Sequence, residues 1–297
     1  MPRLPLIFDT RYRIKGSFKR RIVLILAPVI TSRQNDAVKR ARALARGKDT
    51  ATSSLLLVEG LHLIEESLKE GVKYDTVLVS PRLEATEQGA ALREHLLRAG
   101  NPVLDATDDV LESISEAAGH QGVVGLAYKR VWTLEDLLPT ARMPLVVVAW
   151  GVQDPGNLGT IIRTADAAGA TGVIATAHTA CPFNAKCIRA TMGSIFRLPV
   201  IEMQDELHAI GQLKQHKLAI FGTSVVSGVR HTDIDFDQPV AVVLGAEGAG
   251  LPTLVLGLCD QALRIPIRPE VESLNVAAAA AAILYEAARQ RDFKGLV

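Results

Sequence analysis

Residues 145–176 read LVVVAWGVQDPGNLGTIIRTADAAGATGVIAT. Two apolar runs, LVVVAW (145–150) and TGVIAT (171–176), flank a stretch that breaks at Gly and Pro and then becomes a helix former, Leu158–Ala168. Near-continuous apolar runs without alternation are what parallel strands buried on both faces require. KLAIFG (217–222), PVAVVLG (239–245) and ALRIPI (262–267) supply three more. The second half of the chain is therefore expected to be an α/β body around a parallel sheet. The polar residues at its breaks mark loops at strand ends, where such folds keep their chemistry.

Outward from that stretch, residues 31–130 alternate strand and helix on a smaller scale. The pattern predicts a helix over Asn35–Arg46, a strand LLLVEG (55–60) and a helix Leu61–Glu70 closed by Gly71. A strand TVLVS (76–80), a helix Thr86–Ala99, a strand PVLDA (102–106), a helix Leu111–Ala117 and a last strand QGVVGLAYK (121–129) complete a small α/β layer unit. VWTLEDLLPTARMP (131–144) reads as the connection, so the division is 31–130, a linker 131–143, and 144–297. Residues 1–30 read as a flexible extension. Within it, KRR followed by IVLILAPVI (22–30) imitates a signal peptide, but nine apolar residues with Pro28 are too short to span a bilayer and no cleavage site follows. An over-extended N-terminus or a packed strand is the better reading.

Composition sets outer limits. With 48% hydrophobic and 22% charged residues in 297, global disorder is excluded and two domains are the natural division. The net charge is only +1, yet residues 3–48 carry Arg and Lys repeatedly against Asp9 and Asp36, the footprint of a polyanion binder or of a solubilising tail. Cys181, Cys187 and Cys259 form no CxxC and no Cys/His cluster, which argues against structural zinc or disulfides and for a reducing cytoplasm.

Five polar residues stand out in the breaks: Asn157, Arg163, Glu247, Ser273 and Asn275. Asn157 is placed to cap the helix that follows it. Arg163 is either a solvated helix arginine or, among Ile161, Ile162 and Ala165, a forked cation for phosphate or alkoxide. Glu247 lies among Gly245, Gly248 and Gly250, a loop whose backbone can approach a ligand. It could equally be a turn residue. Ser273 and Asn275 open a helix with six consecutive alanines, 277–282, and Ser273 is a favoured cap. GAEGAG (245–250) and PGNLG (155–159) have the wrong spacing for a dinucleotide fingerprint, and the acidic residue that should follow one is missing.

The ordered segments NLGTIIRTADAAGATGVI, KCIRATMGSIFRLPV, VVLGAEGAGLP and IPIRPEVESLNVAAAAAAILYE resemble the SpoU (TrmH) branch of the SPOUT RNA methyltransferases. LLVEGLHLIEESL and HQGVVGLAY are similar to that family's L30e-like substrate-binding domain. The resemblance implies a SPOUT-type parallel sheet with a C-terminal trefoil knot behind an L30e-like α/β domain. It also implies S-adenosylmethionine as methyl donor and a ribose 2′-hydroxyl of structured RNA as acceptor, most plainly a guanosine of 23S rRNA. Transfer RNA and a non-catalytic RNA-binding relative are the alternatives. By the same resemblance, the catalytic group is Arg163, Glu247, Ser273 and Asn275, with Arg163 on phosphate and the developing 2′-oxyanion and the general base left open. Thr223, Leu244, Gly245, Ile265 and Leu274 would hold the cofactor. Asn157, Lys186 and Arg189 would contact RNA, the last two facing the same cleft as Arg163. A homodimer would form through the Arg163 helix and the C-terminal helix Leu274–Ala288, with no metal and no membrane contact.

Overall fold

A computed structural model describes residues 29–48, 50–115 and 120–297 of the chain. The expected extension over 1–30 lies outside the described residues except for Val29 and Ile30, and Ile30 bridges in parallel to Ala106. The first unit runs α1 (Asp36–Ala45), β1 (Leu55–Glu59), α2 (Leu61–Lys69), β2 (Tyr74–Val79), α3 (Pro81–Glu84), α4 (Glu87–Arg98), β3 (Val103–Asp105), α5 (Asp108–Glu112) and β4 (Val123–Tyr128). Caps fix several starts: the Asn35 side chain accepts from the Ala37 N–H, and Thr86 accepts from Gly89. The helix expected at Leu111–Ala117 begins three residues earlier. Asp108 and Asp109 occupy its first turn, where negative charge favours a helix start, and Ser113 Oγ bonds back to the Val110 carbonyl near its end.

The four strands form one sheet in the order β1-β4-β2-β3, with the last strand inserted antiparallel between β1 and β2. Both faces of this sheet are covered. Leu57, Leu78, Val124 and Leu126 pack under α1, while Leu56, Val58, Val77 and Val79 join a core that continues into the second unit.

The second unit runs β5 (Leu145–Ala149), α6 (Pro155–Ala167), β6 (Gly172–Thr176), α7 (Ala185–Thr191), β7 (Val200–Met203), α8 (Glu206–Gln215), β8 (Ala219–Thr223), β9 (Val229–Arg230), β10 (Val240–Leu244), α9 (Thr253–Leu258), β11 (Gln261–Arg264) and α10 (Val276–Gln290). Its seven strands pair in the order β7-β6-β5-β10-β8-β11-β9, all in parallel. This is the α/β fold with a parallel sheet. Strand alternation sorts the side chains: Leu145, Val147 and Ala149 face the core shared with α6 and α10, and Val146, Val148 and Trp150 face the opposite core with α8. The segment between β4 and β5 is anchored too, since Leu137 is fully buried beneath β6.

The alanine run gives α10 a close approach to α6, with Val276, Ala277, Ala280, Ile283, Leu284, Ala287 and Ala288 forming its buried stripe. Its far end is fastened by polar contacts. Gln290 donates to the Ile234 carbonyl and accepts from the Phe236 N–H. The Arg291 guanidinium donates to the carbonyls of Phe236, Met143, Pro144 and Gln238.

Candidate active site

In this strand order, β5 leads through α6 to β6 and β7 on one side, while β10 lies against the other side of β5. The loops after β5 and β10 therefore sit side by side where the winding reverses, the crevice in which open parallel sheets bind ligands. All strands are parallel, so the loops after β8 and β11 emerge at the same edge.

Three of these loops are joined by one chain of hydrogen bonds. Glu247 accepts from the Gln153 N–H at 3.0 Å and from Asn157 Nδ2 at 2.9 Å. Asn157 Oδ1 accepts from Asn275 Nδ2 at 3.0 Å. Asn275 Oδ1 in turn accepts from the Ala277 and Ala278 N–H groups at the start of α10. The chain has one consistent direction. Two backbone donors fix the Asn275 oxygen, so its amide nitrogen faces Asn157, which must offer an oxygen there and its own nitrogen to the carboxylate. Partial burial pushes the Glu247 carboxyl upward, but the bonds from Asn157 and Gln153 outweigh it and hold the group below the ordinary carboxylate range.

Beside this chain lies a cavity of about 600 Å³, lined by the loop after β10 (245–251), the end of β8 and the loop after it (223–227), Ile265, Ile267 and residues 272–276, with Ala279 and Ile283 of α10. Gly245 lets the wall close: a Cβ there would meet the Gly250 carbonyl carbon at 2.4 Å and the Leu251 nitrogen at 2.6 Å. Thr223 Oγ1 donates to the Val243 carbonyl and accepts from the Gly245 N–H, tying the two loops together.

The expected residues are distributed as follows. Thr223, Gly245, Glu247, Ile265, Ser273, Leu274 and Asn275 line the cavity. Leu244 does not. It belongs to β10, its side chain is buried in the core and its carbonyl accepts from the Trp150 N–H. Asn157 does not cap α6: Asp154 does, accepting from the Asn157 N–H at 2.9 Å, because Pro155 starts the helix three residues earlier than expected. The freed Asn157 side chain is what reaches Glu247 and Asn275. Ser273 is not a cap either, since Asn275 fills that position and Ser273 is exposed on the cavity rim.

Arg163 is exposed on α6, carries no side-chain hydrogen bond or ion pair among the described residues, and does not line this cavity. Lys186 binds Asp154 at 2.7 Å, which holds that carboxyl below its ordinary range. Arg189 has a partner inside the protein. It pairs at 3.2 Å with Glu59, a side chain only 7% exposed, and so clamps α7 to the end of β1. The loop Ser224–Ser227 also lines the cavity and escaped the sequence reading, although TSVVSG directly after an apolar run is the same strand-end signal used elsewhere.

A profile of the SpoU rRNA Methylase family matches residues 144–285. The 23S rRNA (guanosine(2553)-2′-O)-methyltransferase RlmP of Bacillus subtilis (strain 168) is 33% identical over 256 residues, covering 86% of this chain and 97% of that protein. The chain belongs to the SpoU rRNA methylase family. A second profile, the MRM3-like substrate binding domain, matches residues 35–125 of this SpoU protein. The 23S rRNA (guanosine-2′-O-)-methyltransferase RlmB of Burkholderia is 35% identical over 243 residues, covering 80% of this chain and 97% of its own. Among solved structures, the SpoU methyltransferase AviRb from Streptomyces viridochromogenes in complex with AdoMet has a TM-score of 0.78 at 31% identity, covering 87% of this chain and 99% of its own. An AdoMet-bound rRNA methyltransferase from Sinorhizobium meliloti has a TM-score of 0.76 at 34% identity, covering 88% and 97%.

Proposed function

We infer that this SpoU protein transfers a methyl group from S-adenosylmethionine (AdoMet) to a ribose 2′-hydroxyl of RNA, with a guanosine of 23S rRNA as the target. The observation that carries this reading is the hydrogen-bonded chain Glu247–Asn157–Asn275, which joins three signature segments at the rim of a deep cavity. RlmP and RlmB, matched over nearly their whole lengths, supply the acceptor class.

The cavity suits the methyl donor. Its volume of about 600 Å³ is that of a small-molecule site, Leu251, Ile265 and Leu274 give it apolar walls, and Gly245 lets the wall segment at Gly250 and Leu251 pack against its bare backbone. Bound AdoMet would supply an electrophilic methyl on a sulfonium. The protein's part is to align the acceptor and exclude water. Glu247, held low in pKa by its donors, is a weak base and better suited to fixing the three loops than to taking a proton.

Arg163 offers a forked cation for a phosphate or a developing 2′-oxyanion. Its position outside its own cavity supports a homodimer paired through α6 and α10, in which Arg163 of one subunit serves the other's site. Exposed Tyr285 on α10 supports the same pairing. Close packing of the alanine-rich α10, with residues 245–251 and 272–276 around one cavity, supports a trefoil knot in which α10 is threaded through a loop. Residues 31–130 would serve as the RNA-binding domain, 131–143 as the connection and 144–297 as the catalytic domain, working in the cytoplasm.

Incubation with methyl-labelled AdoMet and transcribed 23S rRNA, followed by mapping of ribose methylation, tests the assignment. Label confined to one guanosine ribose is expected. Label on a base, or in transfer RNA alone, would replace the assignment. Light scattering should give a dimer, and an active monomer would exclude the shared site.

A further inference from the structure

The charges on α1 fall into two groups. In its first turns Lys39 pairs with Asp36 and Arg40 pairs with Asp75 at 2.7 Å. At its C-terminal end the pattern reverses. Arg46 and Lys48 are exposed, with no side-chain hydrogen bond or ion pair among the described residues. Arg42, one turn before Arg46 on the same face, has a buried Nε with no acceptor. That atom is closed off from solvent, so the charges open to an outside ligand at this end are those of Arg46 and Lys48.

This cationic end is not remote from the active site. Ala41, Leu44 and Ala45 of α1 share a core cluster with Ala185 of α7. At Gly47 a Cβ would lie 3.3 Å from Asn184 Nδ2. Asn184 caps α7 by accepting the Lys186 N–H at 2.8 Å, Lys186 reaches Asp154 at 2.7 Å, and Asp154 caps α6 through the Asn157 N–H. A few contacts therefore lead from the unpaired charges of α1 to the Asn157–Glu247 chain. Along this path the charge of Lys186 is already shared with Asp154, and the free charges are those of α1.

We propose that Arg46 and Lys48 hold the phosphate backbone of the RNA strand beside the catalytic cleft, forming a phosphate strip that leads from the front unit towards Asn157. The proposal rests on the reading of this site as an RNA methyltransferase and adds the residues that grip the substrate away from the reacting ribose. Contacts of this kind fix register and carry no base preference.

The test is the double variant Arg46→Gln/Lys48→Gln in the full-length protein, with Lys214→Gln on α8 as a distant charge control. Filter binding of a transcribed 23S rRNA fragment is measured between 50 and 200 mM salt. Each lost phosphate contact removes about 0.7–0.9 from the log–log salt slope, so the double variant should lose about 1.4–1.8 and the control nothing. KM for RNA should rise several-fold, while kcat at saturating RNA and AdoMet affinity stay at wild-type values. Cations in the last turn also favour a helix on their own account. A lower melting temperature with an unchanged salt slope and KM would assign them that role and overturn the proposal. If the wild type itself neither binds nor methylates the RNA, the methyltransferase reading falls, and the strip with it. An active wild type beside an unchanged double variant removes the strip alone.

Discussion

Replacing Asn157 by Asp tests the loop network with almost no change of shape. The oxygen that accepts from Asn275 stays, but the amide nitrogen 2.9 Å from Glu247 becomes a second carboxylate oxygen. Two charges about 3 Å apart repel by about 1.4 kcal/mol in bulk water and by about 5.5 at an effective dielectric of 20. Glu247 is exposed, so the lower part of that range applies. Loss of a hydrogen bond to a charged acceptor adds about 1.5–3 kcal/mol. The sum, near 3–4 kcal/mol, is two to three decades in rate if the three loops must be assembled for methyl transfer. Asn157→Ala loses the bonds without the repulsion and should cost about 2 kcal/mol. At pH 7 the Asp variant is thus the slower of the two. As pH falls towards 5, one carboxyl of the pair takes up a proton and donates in place of the amide, so Asn157→Asp should recover and overtake Asn157→Ala. Single-turnover methyl transfer at saturating RNA and AdoMet, measured from pH 5 to 8, follows the crossing. Equal rates for the two variants across this range would show that the contact between Asn157 and Glu247 does not govern the site.

Arg163→Ala should lower single-turnover rates by about two to three decades while AdoMet affinity stays within a few-fold, and Arg163→Lys should recover little because a point charge lacks the fork. Near-normal rates would take Arg163 off the catalytic list. Gly245→Ala should weaken AdoMet binding about tenfold or more by calorimetry, since the new Cβ meets backbone at Gly250 and Leu251 rather than a movable side chain. Undiminished binding would show that the wall can shift. In the wild type, Glu247 is held below its ordinary carboxylate value, so its contribution to stability is full above that ordinary value and is lost as pH falls through the lowered one. A melting temperature for loop contacts that rises on acidification in this window would contradict the assigned partners. Glu59→Ala strands Arg189 and should cost about 2 kcal/mol, discounted because Arg189 is 30% exposed, with AdoMet affinity unchanged.

The sequence showed most clearly what burial on both faces produces. β5, β6, β8 and β10 all stand in apolar runs that need no partner to be recognised, whereas β11 is partly exposed and ends at Arg264, short of the end of its expected run at Ile267. β7 was missed because VIEM is a partly exposed edge strand, and β9 because two residues carry no period. The insertion of β4 between β1 and β2 was invisible, since an apolar strand advertises burial and not its neighbours. At the site, residue types were legible but their partners were not. Asn157 looked like a cap because Asn before a helix usually is one, and only Pro155 at the helix start frees its side chain. Arg189, between Ile188 and Ala190, looks the same locally whether it meets RNA or Glu59, which lies 130 residues away in the chain.

The span of the hydrogen-bonded chain has a consequence for the order in which the protein becomes competent. Asn157 waits for Glu247, 90 residues on, and for Asn275, 118 residues on. The strand pairs of the front sheet, by contrast, are all complete by Tyr128, although one of its faces is covered by the second unit, and chains emerging from the ribosome tend to fold N-terminal units first. A growing chain can therefore complete its front sheet while its methyl-transfer loops are still unjoined. Arg291, which fastens α10 to carbonyls at Met143 and Pro144, comes later still. Nascent or C-terminally shortened chains would carry the front unit with no working chemistry behind it, and activity would begin only once the last twenty-odd residues are free to dock.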